Sequence, residues 1–362
     1  MRFNSVHFLI FFPIVVLGYF VVPKKIKNLW LLIASYYFYM SWKPVYALLI
    51  FFSTLSTYLR GLAIDKSKSK AGAKAVLTVN IIINIAILFY FKYFNFFIEI
   101  ITSLVPGLQL QQNNNLLAVV GISFYTFQSL GYSIDVYRKK VPAEKNFLTY
   151  ALFVSFFPQL VAGPIERSEN LLPQLKKTYK FDYGRVTDGL VLMAWGFFKK
   201  MVIADGCGKI VDIVFNNISS YGGLQFMIAA VLFAFQIYGD FSGYSDIAIG
   251  AANVIGIKLM KNFDHPYFAQ NPVDFWRRWH ISLSGWFMDY IYIPLGGSRK
   301  GKLRTAFNLM VTFLVSGLWH GANLTYVVWG GINGLYNIIY RFMPKPKNKI
   351  KRLAPLKILG TF

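Results

Sequence analysis

The chain has 362 residues, of which 56% are hydrophobic, 18% aromatic and only 15% charged. That balance excludes an ordinary soluble globule and indicates a polytopic membrane protein. The formal net charge of +23 does not indicate a nucleic-acid binder. The basic residues lie in short clusters between apolar runs (Lys24, Lys25 and Lys27; 60–74; 138–145; 345–357), as expected of cytoplasmic loops.

Residues 6–22 form the first apolar run. Beyond Arg2 it has no basic flank and no small-x-small cleavage site, so it reads as a retained helix rather than a signal peptide. It leads inward to Lys24, Lys25 and Lys27. Helix two (28–42) returns outward, and helix three (44–62) comes back to a basic loop. Helix four (75–101) leads out to the uncharged stretch 104–117, and helix five (116–137) descends to Arg138, Lys139 and Lys140. Five spans therefore alternate consistently, with the N-terminus extracytoplasmic. Residues 1–145 are read as an N-terminal set of transmembrane helices.

The second half is less regular. Residues 146–161 are apolar but carry Pro158 and Gln159, a broken segment of the kind tolerated at membrane depth only inside protein. Residues 184–215 mix apolar positions with Lys199, Lys200 and Asp205, and a long span runs from Leu224 to about Lys258. Residues 271–304 are amphipathic and re-entrant in character. Helices at 305–320 and 324–342 follow, so 146–342 reads as the core. The expected fold is all-α: tilted transmembrane helices with re-entrant segments. The single Cys207 leaves no disulfide or cysteine pair for a metal, and no metal set is apparent.

Three polar groups stand where lipid is expected. Asp240 and Asp246 are six residues apart and so fall on different helix faces. Asp246 is expected to pair with an arginine inside the bundle, and the role of Asp240 is open. In residues 271–286, helical spacing puts Trp276, Trp279 and Leu283 on one face, with Arg277, His280 and Ser284 beside it. An interfacial Trp/Arg anchor is the plain reading of that stretch. It leaves His280 unexplained, with Asp289 beyond it. The third group is His320, an ionisable side chain at the end of a membrane helix and therefore a functional candidate by default. Neutral imidazole is the form a general base needs. A histidine hydrogen-bonded to a neighbouring helix is the plain alternative. Gly321 and Ala322 leave room beside the ring, and Asn323 is placed to orient the ring or a substrate carbonyl.

The strings Phe275-Trp276-Arg277-Arg278-Trp279-His280-Ile281-Ser282-Leu283-Ser284, Asp289-Tyr290-Ile291-Tyr292-Ile293-Pro294-Leu295-Gly296-Gly297 and Gly317-Leu318-Trp319-His320-Gly321-Ala322 resemble the membrane-bound O-acyltransferase family. The resemblance is to its branch of bacterial alginate and polysaccharide O-acetyltransferase membrane subunits. Ser123-Phe124-Tyr125-Thr126-Phe127-Gln128, Ala162-Gly163-Pro164-Ile165 and the stretch from Asp240 to Asp246 agree with it. Met288 departs, standing where relatives often carry a basic residue. The resemblance implies a ring of tilted helices around a tunnel, with His320 as the essential histidine and His280 as its upstream partner. The implied reaction moves an acyl group, expected to be acetyl, from a cytoplasmic donor to an extracytoplasmic hydroxyl on a polysaccharide, peptidoglycan or relay protein.

His320 would then be the general base or the transient acyl carrier, and His280 would orient the acceptor or polarise the donor carbonyl. Arg277 and Arg278 would contact a phosphate-bearing donor, acetyl-CoA or an acyl carrier thioester, or else lipid phosphate. Trp279, Ser282, Asn323, Asp240 and Asp289 complete the candidate substrate or donor contacts. No bound cofactor is expected. The expected partners are the lipid bilayer, a cytoplasmic donor or carrier protein and an extracytoplasmic esterase-like acyltransferase, with no nucleic acid. The expected location is the bacterial cytoplasmic membrane. A transporter or channel with His320 in a proton relay is the rival class, although the paired halves of many transporters are not visible. Residues 343–362 read as a basic tail and the start of a further, truncated helix. A truncated chain that only assembles with partners is a third expectation.

Overall fold

The computed structural model describes residues 1–105, 107–108, 110–114, 119–161 and 163–344. Residues 345–362 of the expected tail and further helix (343–362), the first residues of expected helix five and Ala162 lie outside the described residues. Among the described residues the regular structure is all helical, as a bilayer requires of a chain that must satisfy its own backbone polar groups.

The first half follows the apolar runs closely. α1 (Val6–Val21) begins at Ser5, whose Oγ accepts from the Phe8 amide at 3.2 Å, and is followed by α2 (Lys27–Met40) and α3 (Val45–Lys66). The expected fourth helix is a 35-residue stretch, Lys70–Leu104, long and apolar enough to cross a bilayer. It consists of α4 (Lys70–Leu88), a π turn (Phe89–Tyr93) and α5 (Phe94–Leu104). α6 (Ile122–Tyr137) starts later than the apolar run because Gly121 adopts φ 77°, a left-handed conformation that suits glycine. Leu160 O stands 2.7 Å from where a Cβ on Gly121 would lie, so a side chain there would also be crowded.

Residues 146–161 hold only the nine-residue α7 (Phe147–Ser155). At about 1.5 Å per residue it is too short to span a membrane, and most of it is buried inside the protein. After α8 (Ser168–Leu175) come α9 (Tyr183–Phe198), a second π turn (Lys199–Ala204), α10 (Asp205–Phe215) and the long α11 (Gly223–Ile255). The re-entrant region is α12 (Pro272–Arg278), α13 (Ile281–Phe287) and a third π turn (Met288–Tyr292). α14 (Lys302–His320) and α15 (Leu324–Phe342) follow.

Hydrogen bonds gather the basic segments at one end of the bundle. Lys27 Nζ donates to Tyr179 O at 3.2 Å, Tyr58 Oη donates to Lys145 O at 2.5 Å, and Lys176 pairs with Glu144 at 2.6 Å. One hydrophobic core runs from Met1 through Leu152, Phe153 and Phe157 to Leu259, so it draws on both the 1–145 and the 146–342 segments. A smaller cluster, including Phe127, Leu283, Trp286 and Trp319, lies under the re-entrant region.

The two acids of α11, Asp240 and Asp246, are paired, but not with arginine. Lys199 pairs with Asp246 at 2.6 Å, and Lys200 pairs with Asp240 at 2.5 Å and with Asp205 at 2.8 Å. The expected arginine partner of Asp246 is therefore corrected to a lysine. The π turn carrying both lysines lies directly on α11 at Gly239 and Gly243. A Cβ at Gly243 would stand 3.0 Å from the Lys200 backbone nitrogen, so the close approach depends on small residues.

Candidate active site

α14 runs 19 residues from Lys302 at the basic end and terminates at His320. At about 1.5 Å per residue this carries the imidazole on the order of 27 Å from the helix start. The helix packs against α15 with almost no gap, since any side chain at Gly317 would overlap the Tyr326 carbonyl. Trp329 of α15 stands edge-on to the His320 ring, centroids 5.1 Å apart. Asn323 caps α15, its Oδ1 accepting from the Thr325 amide and hydroxyl, each at 2.9 Å. That cap engages Oδ1 and leaves Nδ2 as the donor able to meet a carbonyl.

His280 arrives differently. Trp279 is extended, and His280 has φ 45° and ψ 55°, so the chain breaks between α12 and α13. The expected continuous helix through Trp276, His280 and Ser284 is corrected by this break. The left-handed His280 reorients the chain, so helical spacing does not carry across it. Such a conformation in a non-glycine residue costs on the order of 1–3 kcal/mol and persists only where its surroundings hold it. Here the Ile281 amide donates to Asn262 O and the Asp264 amide to Arg278 O, at 2.9 and 3.0 Å. Ser282 Oγ donates to Asn262 Oδ1 at 2.6 Å and accepts from the Ile165 amide at 3.0 Å.

The result is a pair of imidazoles with ring centroids 6.4 Å apart. His280 is 1% exposed, packed against Phe241 at 4.6 Å and Trp319 at 5.8 Å. Neither of its ring nitrogens has a hydrogen-bond partner. Buried polar atoms are rarely left so, and an exception of this kind calls for an explanation such as a ligand or a catalytic role. His320 is half-buried. Both rings line a cavity of about 1380 Å³, walled by Phe241, Trp276, Trp279 and Trp329 and, toward the end opposite the basic clusters, by the first half of α11.

A second cavity of about 370 Å³ lies toward the basic end, lined by Arg277, Ser284, Met288, Asn337 and Arg341. Trp276 borders both cavities. Of the sequence candidates, His280, His320 and Trp279 therefore share one cavity and Arg277 faces the other. The remainder have structural partners. Arg278 Nε pairs with Asp274 Oδ1 at 3.0 Å, Asp289 pairs with Arg167 at 2.8 Å, Asp240 pairs with Lys200, and Ser282 braces the turn at His280.

Sequence reasoning passed over Lys92, which lines the histidine cavity from the first π turn. The signal was the one that singled out His320, an ionisable group in an apolar span. Trp329 gave no such signal, because an aromatic in an apolar helix is unremarkable until its neighbour is known.

The sequence profile of the membrane-bound O-acyltransferase family matches residues 139–349, a stretch containing His280, His320 and the second cavity's two arginines. The chain belongs to that family. Among membrane-bound O-acyltransferases it is 40% identical over 367 residues to the probable alginate O-acetylase of Pseudomonas putida, covering 100% of this chain and 75% of that one. It is 41% identical over 370 residues to the corresponding Pseudomonas aeruginosa protein, covering 100% and 70%. It is 36% identical over 390 residues to the peptidoglycan O-acetyltransferase of Helicobacter pylori, covering 99% and 73%. The protein is a multi-pass, all-α membrane O-acyltransferase of the alginate and polysaccharide O-acetyltransferase branch.

Proposed function

We infer that the chain transfers an acetyl group from a thioester donor, acetyl-CoA or an acetylated carrier protein, entering at the basic end. The acceptor is a hydroxyl at the opposite face. The basic clusters then face the cytoplasm, the N-terminus is extracytoplasmic and the membrane is the bacterial cytoplasmic membrane, as the positive-inside rule favours. The observation that carries this reading is the His280–His320 pair in one large cavity, with both His280 nitrogens unpartnered.

His320, half-buried beside open space, is the general base. One ring nitrogen takes the acceptor hydroxyl proton as the oxygen attacks the thioester carbonyl. The new C–O bond forms, the C–S bond breaks, and the imidazolium returns its proton to the departing thiolate. His280, enclosed behind His320, holds the donor carbonyl or the acceptor with its free nitrogens. Arg277 and Arg341 in the second cavity suit the phosphates of either donor. The acceptor is a polysaccharide or peptidoglycan hydroxyl, reached directly or through an extracytoplasmic esterase-like partner.

The test uses protein in lipid nanodiscs, acetyl-CoA or acetyl carrier protein, and polysaccharide with or without the esterase-like partner. Free thiol release should require both protein and acceptor. His320→Ala should lower it by about 10²–10⁴-fold. A His320→Ala protein working at the wild-type rate would remove the base role.

A further inference from the structure

Lys92 sits where a cation is costly, inside the apolar stretch Lys70–Leu104. Among the described residues no carboxylate lies within ion-pair distance of its Nζ, and none of those lining its cavity is acidic. The intramembrane lysines 199 and 200, by contrast, are both neutralised by aspartates. Lys92 Nζ donates to the carbonyl of Trp319 and to Ser123 Oγ, the latter at 3.0 Å, and stands 5.5 Å from the Trp319 ring centroid. An ammonium has three N–H donors, so these two bonds leave one.

The plain role for such a group is to cap α14, whose last carbonyls have no helical partner. Tyr93 already provides a cap of this kind, donating its hydroxyl to Leu318 O at 2.8 Å without any charge. A neutral donor would likewise satisfy the Trp319 carbonyl. Capping therefore does not account for an unneutralised charge in the histidine cavity, held to the residue that precedes His320.

We propose that Lys92 is a catalytic residue, its ammonium stabilising the oxyanion formed at the donor carbonyl beside His320. This rests on the acetyl-transfer reading above. When the acceptor oxygen attacks, the carbonyl π pair moves onto the carbonyl oxygen and the hydroxyl proton passes to His320. The third Nζ–H of Lys92 donates to that oxygen. On collapse the pair re-forms the C=O bond, the C–S bond breaks and the thiolate takes the proton from His320. Lys92 stays protonated throughout. A fixed cation in a wall of aromatic rings is a strong stabiliser of developing negative charge, because it is already in place when that charge forms and needs no reorganisation.

The experiment measures kcat and donor KM in nanodiscs for wild type, Lys92→Met, Lys92→Gln and Tyr93→Phe, with folding checked by size-exclusion profile. Glutamine keeps an amide donor for the Trp319 carbonyl and removes the charge. The expected result is a kcat loss of about 10²–10³-fold for both Lys92 variants, with KM shifted less than about threefold. Tyr93→Phe should lose less than about tenfold, as a cap alone would. In a Cys207→Ala background, aminoethylation of folded Lys92→Cys protein should restore kcat at least about tenfold, because it returns a cation of similar length.

Two results would overturn the proposal: Lys92→Gln falling no further than Tyr93→Phe, or folded Lys92→Cys gaining nothing on aminoethylation. Wild-type protein that shows no acceptor-dependent thiol release would remove the transfer reading itself.

Discussion

Trp276 stands with its ring 5.7 Å from that of Trp329 and borders both the histidine cavity and the arginine-lined one. Phe313 backs Trp276 at 5.4 Å. Truncating Trp276 removes its main body. Trp276→Ala is expected to raise acceptor-independent thioester hydrolysis several-fold while slowing transfer, because water then reaches the donor carbonyl from a widened cavity. Thiol release assayed with and without acceptor measures both quantities, and an unchanged ratio would count against Trp276 as a partition.

His280 lends itself to an unusually clean truncation. Since neither ring nitrogen has a partner, His280→Ala breaks no hydrogen bond within the protein. The stability cost is loss of packing against Phe241 and Trp319, so the protein should still be recovered folded. Transfer should fall on the order of 10²-fold, the penalty expected when a reacting group loses its positioning. Comparing kcat with the thermal unfolding midpoint in detergent separates the two effects.

Ser282→Ala should do the reverse, acting first on stability. It removes the donor to Asn262 and the acceptor for the Ile165 amide, both in a buried site. Leaving such groups unsatisfied costs about 1–3 kcal/mol. A lowered unfolding midpoint together with reduced activity is expected, because these bonds hold the turn that places His280. Ser282→Thr, which keeps the hydroxyl, should lose less.

Glu166 provides a pH dependence. It lies in the irregular segment between α7 and α8, outside the spanning helices. Burial pushes its carboxyl up from 4.5 to about 7, against the lowering effect of hydrogen bonds from the Met260 amide and Asn170. The folded state therefore holds the proton more tightly than the unfolded state. The contribution of Glu166 to stability is full below about pH 4.5 and declines as pH rises to about 7, by an amount on the order of 3 kcal/mol. Glu166→Gln cannot ionise, so unfolding midpoints measured between pH 5 and 7.5 should show a flatter slope than wild type.

Much of the helical order was legible because membrane spans announce themselves by composition. α1 to α3, α11, α14 and α15 fall within a few residues of the apolar runs, and His320 stood out as an ionisable group in one of them. Local pattern failed where distant packing decides the backbone. Nothing in Arg278-Trp279-His280-Ile281 signals a left-handed residue, since no glycine or proline marks the break. It is held by Asn262 and Ser282, contacts set by the fold. The π turn at Lys199–Ala204 likewise depends on glycines of α11 more than 30 positions away. Asn323 carries a second role that its place beside the histidine did not announce, capping the start of α15.

The partition at Trp276 also bears on the energetics of the cell that carries this enzyme. With the donor and acceptor sides proposed above, the two cavities that Trp276 borders leave a thin aromatic wall as the insulator across the membrane there. Each charge crossing it dissipates about 2.3 kcal/mol per 100 mV of membrane potential. Acyl transfer thus has to proceed without admitting a file of water, and the dense indole and phenyl packing around His320 serves as electrical insulation as much as a substrate wall.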